Sequence, residues 1–201
     1  MITADFFART GLFVVPNFLS HEMCAKLRSA LASADWKPAP VAEGGQDTYD
    51  EEHRKTKQHT IDNGSKKEMH VRLLAIKSQL ESHFRTPLSG CQAPVFLSYS
   101  VGDFFRAHAD TADDMDLQEG IKARKVSAVV FINRNAHEGP ETYSGGALVF
   151  YGLFPDDPQL KSRGFPMQAE EGLLIAFPSR MRHEVQPVTR GKRYSIVTWY
   201  S

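Results

Sequence analysis

The sequence KRYSIVTWY at positions 192–200 decides the fold class, because its β-branched and aromatic side chains favour an extended strand. Similar short runs lie upstream, at residues 94–100, 104–110, 126–133, 146–152, 172–178 and 183–188. Turn residues or longer polar loops separate these runs, and no helical pattern alternates with them, which disfavours a Rossmann-like fold. We therefore predict a mainly β fold with flanking helices (α+β), in which roughly seven strands form a sandwich, a jelly roll or a barrel.

Helical patterns are confined to the first part of the chain. The pattern indicates a short helix over residues 3–9 and a strand over residues 12–15. Ser20 is a suitable N-cap for an amphipathic helix over residues 21–33, whose apolar side chains fall on one face. We expect this helical face to pack against one face of the β-rich part.

A second amphipathic helix is predicted over residues 66–84, where apolar residues recur at helical spacing. It follows Ser65 and Glu68, which match a capping box. Between the two predicted helices, residues 37–64 contain prolines, glycines and many charges but few large apolar groups. We expect a long surface loop or an irregular hairpin there, serving either as a lid over a substrate or as a merely flexible connection.

The composition is that of an ordinary globular domain. The 201 residues include 24 Lys plus Arg and 24 Asp plus Glu, so the formal net charge is zero. A balanced charge argues against a protein that binds nucleic acid or an anionic membrane over a broad surface. Cys24 and Cys91 are too few for a disulfide scaffold, and the sequence shows no signal peptide and no apolar run of membrane-spanning length. We expect a cytoplasmic protein with no nucleic-acid or membrane partner.

The expected domain organisation is simple. We predict one domain over residues 1–201, because the chain is of single-domain length and contains no internal repeat. Within it, residues 1–93 would form helical support and a polar loop, and residues 94–201 would form the β core.

Three side chains of the β-rich part are candidate metal ligands. His108 and Asp110 are two positions apart in a predicted strand, so both side chains should point to the same face. His183 opens another predicted strand, which the fold must bring to the same place. Two imidazoles and one carboxylate can occupy one face of an octahedral ion, as in non-haem Fe(II) oxygenases, and the same residue types can hold catalytic zinc. The three ligands alone therefore leave both metals open.

Arg193 favours the iron alternative. It shares a strand face with Ser195, Val197 and Trp199, so its guanidinium should point toward an apolar and aromatic interior. A buried guanidinium is unfavourable unless an anion meets it, and its planar fork matches a carboxylate. Ser195 can donate a further hydrogen bond to that anion. Because His183 lies only ten residues upstream, we interpret Arg193 as an anion-binding residue rather than an exposed arginine of an edge strand.

These motifs resemble those of a known family. The His-x-Asp motif at residues 108–110, followed by His183 and Arg193, resembles the iron- and 2-oxoglutarate-dependent dioxygenases, most closely their prolyl 4-hydroxylase-like branch. Residues 193–200 are similar to the last strand of the oxygen-sensing prolyl hydroxylases, and GGALVF at residues 145–150 is similar to the family's Gly-Gly strand. The resemblance covers residues 94–200 well and the preceding part only loosely.

The resemblance implies both a fold and a metal. The fold is a double-stranded β-helix, a jelly-roll or cupin-like core with the N-terminal helices packed on one sheet. The metal is Fe(II), bound by His108, Asp110 and His183, with 2-oxoglutarate and O2 as co-substrates. The same chemistry allows ascorbate as an additional reductant.

The resemblance also implies a binding site for 2-oxoglutarate. Its far carboxylate would pair with Arg193, helped by Ser195 and by the Tyr99 hydroxyl. One position departs from the family, because the oxygen-sensing enzymes place a tyrosine against this carboxylate on the strand that here contains Val130 and Phe131. Neither of these two side chains can donate a hydrogen bond.

The sequence therefore favours a dioxygenase that hydroxylates a carbon centre with release of succinate and CO2. The substrate is either a prolyl residue of a protein or peptide, or a free amino acid or another small molecule. Two alternatives stay open: a zinc-dependent hydrolase or isomerase on a cupin-like barrel, which leaves Arg193 unexplained, and a non-catalytic binding module on the same fold. Unused polar ligands in a core would be unfavourable in the binding module.

Overall fold

The structure is a computed structural model that describes residues 10–43, 46–111, 118–154 and 156–201. The helix predicted over residues 3–9 lies outside the described residues. The helices are α1 (His21–Ser33), α2 (Asn63–Ala75), α3 (Lys77–Phe84) and α4 (Glu119–Lys122). The strands are β1 (Phe13–Val15), β2 (Trp36–Pro38), β3 (Val41–Glu43), β4 (Gln46–Thr48), β5 (Arg54–Lys55), β6 (Lys57–His59), β7 (Val95–Tyr99), β8 (Phe104–His108), β9 (Val126–Phe131), β10 (Ser144–Gly145), β11 (Leu148–Phe150), β12 (Phe165–Met167), β13 (Leu174–Pro178), β14 (His183–Val185), β15 (Val188–Arg190) and β16 (Arg193–Tyr200).

Two antiparallel sheets form the core. The larger has the strand order β1-β13-β9-β16-β7-β6-β2, and the smaller has the order β12-β11-β14-β8-β5. Side chains from both sheets, among them Phe131 and Phe177 from the larger and Phe150 and Val185 from the smaller, form one buried apolar cluster. The sheets therefore face each other across a shared interior, as the predicted mainly β jelly roll requires.

The helices cover the outer face of the larger sheet. Leu27 of α1, Met69 of α2 and Leu80 of α3 belong to a second apolar cluster, which also contains Val130 and Ile196 of the sheet. Successive side chains of a strand point to opposite faces, so along β9 Val130 faces the helices and Phe131 faces the interior between the sheets. The prediction that N-terminal helices pack on one sheet is confirmed.

Residues 37–64 are more ordered than the sequence indicated. Strands β2 and β6 extend the larger sheet beyond β7, β5 pairs with β8, and β3 and β4 form a hairpin. Of the two predicted alternatives, the long surface loop was wrong and the irregular hairpin is confirmed, because β2 pairs with β6 and β3 pairs with β4 between them. The strands are polar because they lie at or next to sheet edges, where main-chain hydrogen bonds rather than apolar burial hold them. Since they join both large sheets, the boundary at residue 93 does not separate a support from the β core.

The second predicted helix is two helices. Helix α2 begins after Asp62, whose carboxylate accepts a 2.8 Å hydrogen bond from the Ser65 N–H, so Asp62 rather than Ser65 is the N-cap. At Ile76 the backbone leaves the helical region (φ −93°, ψ 0°), and α3 starts directly afterwards. A side-chain pattern cannot show this break, because both helices keep the same apolar face on the sheet. No helix of the described segments is long and apolar enough to cross a membrane.

Two strand boundaries affect the site. Strand β8 ends at His108, so Asp110 follows the strand instead of belonging to it as predicted. The predicted strand over residues 183–188 is divided into β14 and β15, with Pro187 between them. The remaining predicted strands match within a few residues, and β10 and β12 had no predicted counterpart of their own.

Candidate metal and co-substrate site

Backbone pairing brings the two candidate histidines together. Strands β8 and β14 are antiparallel neighbours, and their register places His108 directly opposite His183. The two imidazole ring centroids are 4.3 Å apart. Phe105 stacks on His108 at 3.6 Å between centroids, and Phe177 meets His183 edge-on at 4.7 Å. These aromatic neighbours restrict the rotation of both imidazoles.

Main-chain carbonyls orient the imidazole nitrogens. Nδ1 of His108 lies 2.8 Å from the carbonyl oxygen of Arg106, and Nδ1 of His183 lies 2.9 Å from that of Met181. Each Nδ1–H therefore donates to a carbonyl, which leaves Nε2 with a free lone pair in both rings. Histidine ligands of metals are commonly oriented by a hydrogen bond of this kind.

Asp110 completes a cluster of three potential ligands. Its Oδ1 is 3.6 Å from Nε2 of His108, and its Oδ2 is 3.8 Å from Nε2 of His183. One donor atom from each residue lies within 4.8 Å of the other two. The Asp110 N–H donates a 2.8 Å hydrogen bond to the carbonyl of Ser179, which fixes the turn after β8. The fold therefore brings together the three predicted ligands, although Asp110 reaches them from a turn.

The protonation states of the cluster suit a divalent cation. Burial alone would raise the pKa of Asp110, but the neighbouring imidazoles of His183 and His108 and the Ser127 hydroxyl favour the carboxylate and hold that pKa far below its usual range. Burial lowers the pKa of His183 to about 4, against the opposing effect of Asp110. At neutral pH the site thus presents a carboxylate and a neutral imidazole, the forms in which these residues bind metals.

Arg193 lies in the same interior on the facing sheet. It is 1% exposed, and its backbone pairs with that of Tyr99 across β16 and β7. Its Nη1 donates a 3.0 Å hydrogen bond to Oγ of Ser195, while its Nε is buried without a hydrogen-bond partner. Among the described residues, no carboxylate forms an ion pair with it. A buried guanidinium in this state could hold an anion.

The structure shows which residue takes the place of the tyrosine that the oxygen-sensing enzymes have on this strand. Val130 faces the helices, whereas the Phe131 ring centroid lies 5.1 Å from Cζ of Arg193. Phe131 therefore takes the interior position and gives Arg193 an aromatic contact but no hydrogen bond.

Sequence reasoning missed Tyr143, whose hydroxyl lies near Arg193. Its side chain is fully buried and its hydroxyl has no partner. Burial raises the pKa of Tyr143, and the charge of Arg193 opposes that shift, which agrees with the contact of both side chains with Gly146. The available signal was the glycine pair that follows. Gly146 has φ +58°, and a Cβ there would lie 3.2 Å from Cδ of Arg193 and 3.3 Å from Cε2 of Tyr143.

One cavity of about 620 Å³ connects these groups. The three potential ligands line it, and so does the predicted inward face of β16, consisting of Arg193, Ser195, Val197 and Trp199. Tyr99 also lines the cavity, with its ring centroid 4.9 Å from Cζ of Arg193. All six predicted site residues therefore lie around one interior space.

The residues present fit both a metal ion and a dicarboxylate. Oxygen and nitrogen donors converge at one end of the cavity, and a guanidinium that lacks a carboxylate lies at another part of its wall. Residues 94–201, more than half of the chain, match the sequence profile of the 2OG-Fe(II) oxygenase superfamily. The chain belongs to this superfamily. The match covers His108, Asp110, His183 and Arg193, so the family and the geometry point to the same part of the molecule.

Individual relatives extend the similarity into the first part of the chain. A PKHD-type hydroxylase of Beijerinckia indica is 28% identical over 190 residues, covering 92% of this chain and 76% of the relative. A crystal structure of a Pseudomonas putida prolyl-4-hydroxylase has a TM-score of 0.69 at 23% identity and covers 98% of this chain and 95% of its own. A Trichoplax adhaerens prolyl hydroxylase in complex with a hypoxia-inducible-factor peptide fragment has a TM-score of 0.71 at 18% identity, covering 98% and 86%. These structural similarities confirm the jelly-roll fold of this oxygenase superfamily.

Proposed function

We propose that this protein is an Fe(II)- and 2-oxoglutarate-dependent dioxygenase that hydroxylates a carbon centre. The observation that carries the proposal is the pairing of two unusual features in one cavity. One is the three-ligand cluster of His108, Asp110 and His183. The other is the buried guanidinium of Arg193, which has no carboxylate partner among the described residues. A metal ion explains the ligand cluster. An anionic co-substrate that also binds the metal explains why the buried guanidinium lies in the same cavity.

His108, Asp110 and His183 are the proposed iron ligands. Three protein ligands on one side of an octahedral ion leave adjacent positions for a chelating co-substrate and for O2. Asp110 contributes the negative charge that neutralises part of the metal charge. The main-chain carbonyls of Arg106 and Met181 hold the two imidazoles in the orientation that binding needs.

Arg193 is the proposed partner of the far carboxylate of 2-oxoglutarate. Its side chain is held by Ser195 on one side and by the rings of Tyr99 and Phe131 on others. The predicted role of Tyr99 and Ser195 is to assist Arg193 with their hydroxyls. We add Tyr143, whose unpartnered buried hydroxyl supplies the hydrogen bond that Phe131 cannot.

The chemistry follows from what these groups would hold. Fe(II) with 2-oxoglutarate and O2 supplies an oxidative decarboxylation to succinate and CO2, coupled to insertion of one oxygen atom into a substrate C–H bond. The protein fixes the two ends of the co-substrate at sites on facing sheets and thereby orients it. The rings of Phe105 and Phe177 pack against His108 and His183 and restrict the rotation of these two proposed ligands.

The substrate is proposed at two levels. Hydroxylation of a carbon centre is supported by the hydroxylases among the similar proteins. Prolyl hydroxylation of a protein or peptide is supported by the prolyl hydroxylases among the similar structures.

We keep ascorbate as an additional reductant of the reaction. We also keep a cytoplasmic location, because Cys24 and Cys91 are both free thiols, as is usual in a reducing compartment.

Anaerobic reconstitution tests the activity. The purified protein is loaded with Fe(II) and 2-oxoglutarate, and the weak visible absorption of the chelate is recorded. Oxygen is then admitted and succinate is measured, first alone and then with a panel of proline-containing peptides and small metabolites. Mass spectrometry of the panel detects the addition of one oxygen atom. We expect the absorption band, O2-dependent succinate and one oxidised compound or class.

The control separates iron chemistry from the zinc alternative. His183→Ala should lose the chelate band and the succinate, while the wild-type protein loaded with zinc should consume no O2. Hydrolysis or isomerisation by the zinc-loaded protein, together with no succinate from the iron-loaded protein, would contradict the proposal. A protein that binds 2-oxoglutarate but forms no succinate under any condition would instead be a binding module.

A further inference from the structure

We infer that Arg54 binds a carboxylate of the substrate, so that the hydroxylated molecule carries this group close to the carbon that reacts. This inference rests on the proposed function, since it describes the substrate of the same cavity. It also explains a residue in the segment for which the sequence predicted a long surface loop or an irregular hairpin.

Strand pairing places Arg54 on the metal side of the cavity. Strand β5 is the edge neighbour of β8, and Arg54 pairs in register with Phe105. Cζ of Arg54 lies 4.4 Å from the centroid of the Phe105 ring, and the same ring stacks on His108. A single aromatic side chain therefore bridges Arg54 and a proposed metal ligand. A group bound to Arg54 would be held beside the metal.

Arg54 has more donors than the protein uses. Its Nη1 donates a 2.8 Å hydrogen bond to the carbonyl oxygen of Pro40. Its Nε is buried without a partner. In the described part of the chain, no carboxylate forms an ion pair with Arg54. Burial lowers the pKa of Arg54, and the nearby Tyr99 and Asp110 oppose that shift. Arginine side chains are in general protonated at neutral pH.

The charges of the described cavity wall indicate an anionic substrate. Three arginines and one carboxylate line it: Arg54, Arg124, Arg193 and Asp110. A divalent metal would be balanced by Asp110 and by the nearer carboxylate of 2-oxoglutarate, and Arg193 by the farther one. Arg54 and Arg124 remain, and an anionic substrate would stabilise the charge of Arg54, which has no carboxylate partner among the described residues.

Of these two arginines, Arg54 is the better substrate-binding residue. Arg124 stacks on Trp199 with Cζ 3.8 Å from the ring centroid, and it donates to the carbonyl of Asp110 and to Gln92. Its protein contacts occupy the guanidinium from several directions. Arg54 is distinguished by its position, because it packs on the Phe105 ring that stacks on His108. A guanidinium recognises a carboxylate through its planar fork, so a carboxylate is the expected group.

The substrate carboxylate can come from two sources. It can be the α-carboxylate of a free amino acid or a similar small acid, or it can be an acidic side chain beside the reacting residue in a peptide. Both sources present the same group to Arg54. The test therefore includes an arm for each of them.

The experiment compares acids with their neutral counterparts. The protein is loaded with Mn(II), which does not support turnover, and with saturating 2-oxoglutarate. One arm titrates free L-amino acids beside their primary amides. The other titrates blocked tripeptides that contain proline beside glutamate and the same peptides with glutamine. Calorimetry measures binding, and the Fe(II) protein then gives KM and kcat from substrate-dependent succinate formation. We expect at least one acid to bind about tenfold or more tightly than its neutral counterpart.

The variants assign the preference to Arg54. Arg54→Gln should remove most of the difference between acid and neutral compound and raise KM for the acid about tenfold, with a smaller change in kcat, and Arg54→Lys should restore part of it. Arg106→Gln is the matched control, because Arg106 lies on β8, packs on a phenylalanine ring and donates to a backbone carbonyl, yet is exposed and outside the cavity wall. It should keep the preference.

Several outcomes would overturn the inference. It is wrong if no acid of either arm binds the loaded protein more tightly than its neutral counterpart, or if Arg54→Gln keeps the preference. It is also wrong if Arg54→Gln weakens 2-oxoglutarate binding as strongly as Arg193→Gln does, because Arg54 would then belong to the co-substrate site. Succinate formation in the wild-type protein would leave the proposed function standing in each of these cases, whereas its absence would remove both.

Discussion

Replacing Arg193 with methionine should weaken 2-oxoglutarate binding by at least about 100-fold, while leaving the ligand-free protein as stable as before or more stable. Arg193 is 1% exposed and has no ion pair within the described residues, so its charge is uncompensated until a carboxylate binds. Losing one partner of a buried charge pair typically costs about 3–5 kcal/mol, and every 1.4 kcal/mol is about tenfold in affinity. Without the ligand, methionine removes an unfavourable buried charge, which is neutral or worth about 1 kcal/mol in stability.

Thermal unfolding with Mn(II) in place of Fe(II) measures both effects. At a 2-oxoglutarate concentration of about 100 times the wild-type Kd, ligand binding should stabilise the wild-type protein by about 2.7 kcal/mol. The Arg193→Met protein, with a Kd about 100-fold higher, should gain only about 0.4 kcal/mol under the same conditions. For a chain of this length, each kcal/mol shifts the melting temperature by about 2–4 °C. Mn(II) affinity should change little, because Arg193 is not a proposed ligand.

Arg28 is the matched control for burial of a guanidinium. It is 5% exposed, but it pairs with Glu141 and Glu171 and donates to the carbonyl oxygen of Ile132. Arg28→Met should therefore destabilise the protein by about 2–4 kcal/mol, toward the lower end because Glu141 is largely exposed, and should leave the affinity for 2-oxoglutarate in the folded protein unchanged. If 2-oxoglutarate stabilises Arg193→Met by more than half of its effect on the wild type, the anion role of Arg193 is wrong.

Three further predictions concern the proposed metal ligands and the surroundings of Arg193. Asp110→Ala should lower metal affinity at least about 100-fold and abolish succinate formation with the fold retained, as metal titration, circular dichroism and turnover would show; full activity would end the three-ligand hypothesis. Tyr143→Phe should raise the KM for 2-oxoglutarate roughly tenfold or more, since a hydrogen bond to a charged group is worth about 1.5–3 kcal/mol, without loss of melting temperature; an unchanged KM would remove Tyr143 from the site. Gly146→Ala should destabilise the protein by about 1–3 kcal/mol and weaken 2-oxoglutarate binding, because the new Cβ would lie 2.8 Å from Cγ2 of Val188 and 3.2 Å from Cδ of Arg193; unchanged melting and binding would contradict this crowding.

The sequence was most informative where a side-chain pattern determines which residues face the interior. The inward face of β16, from Arg193 to Trp199, follows from the alternation of a strand, and all of it lines the cavity. His183 and His108 are far apart in sequence, and the bare pattern does not pair them. That prediction came from the resemblance to the dioxygenases, and the register of β14 on β8 explains it physically.

The sequence was least informative where main-chain geometry decides the structure. Asp110 reaches its place through a turn held by the carbonyl of Ser179 rather than through strand alternation. The break at Ile76 and the cap at Asp62 are likewise backbone features, which apolar spacing does not record. In residues 37–64 the edge strands are stabilised by pairing with β7 and β8, so their own composition resembles that of a loop.

Arg54 shows why this last gap matters for function. An isolated arginine in a polar segment has no pattern that distinguishes it from a solvated side chain, and only the pairing of β5 with β8 brings it to the cavity. Co-substrate and substrate would then be held by different sheets. Arg193, on the larger sheet, would bind the far carboxylate of 2-oxoglutarate, and its strand carries the pattern that the family resemblance depends on. Arg54 lies on a short edge strand of the smaller sheet, where a substitution would alter substrate preference without disturbing the metal ligands or the core.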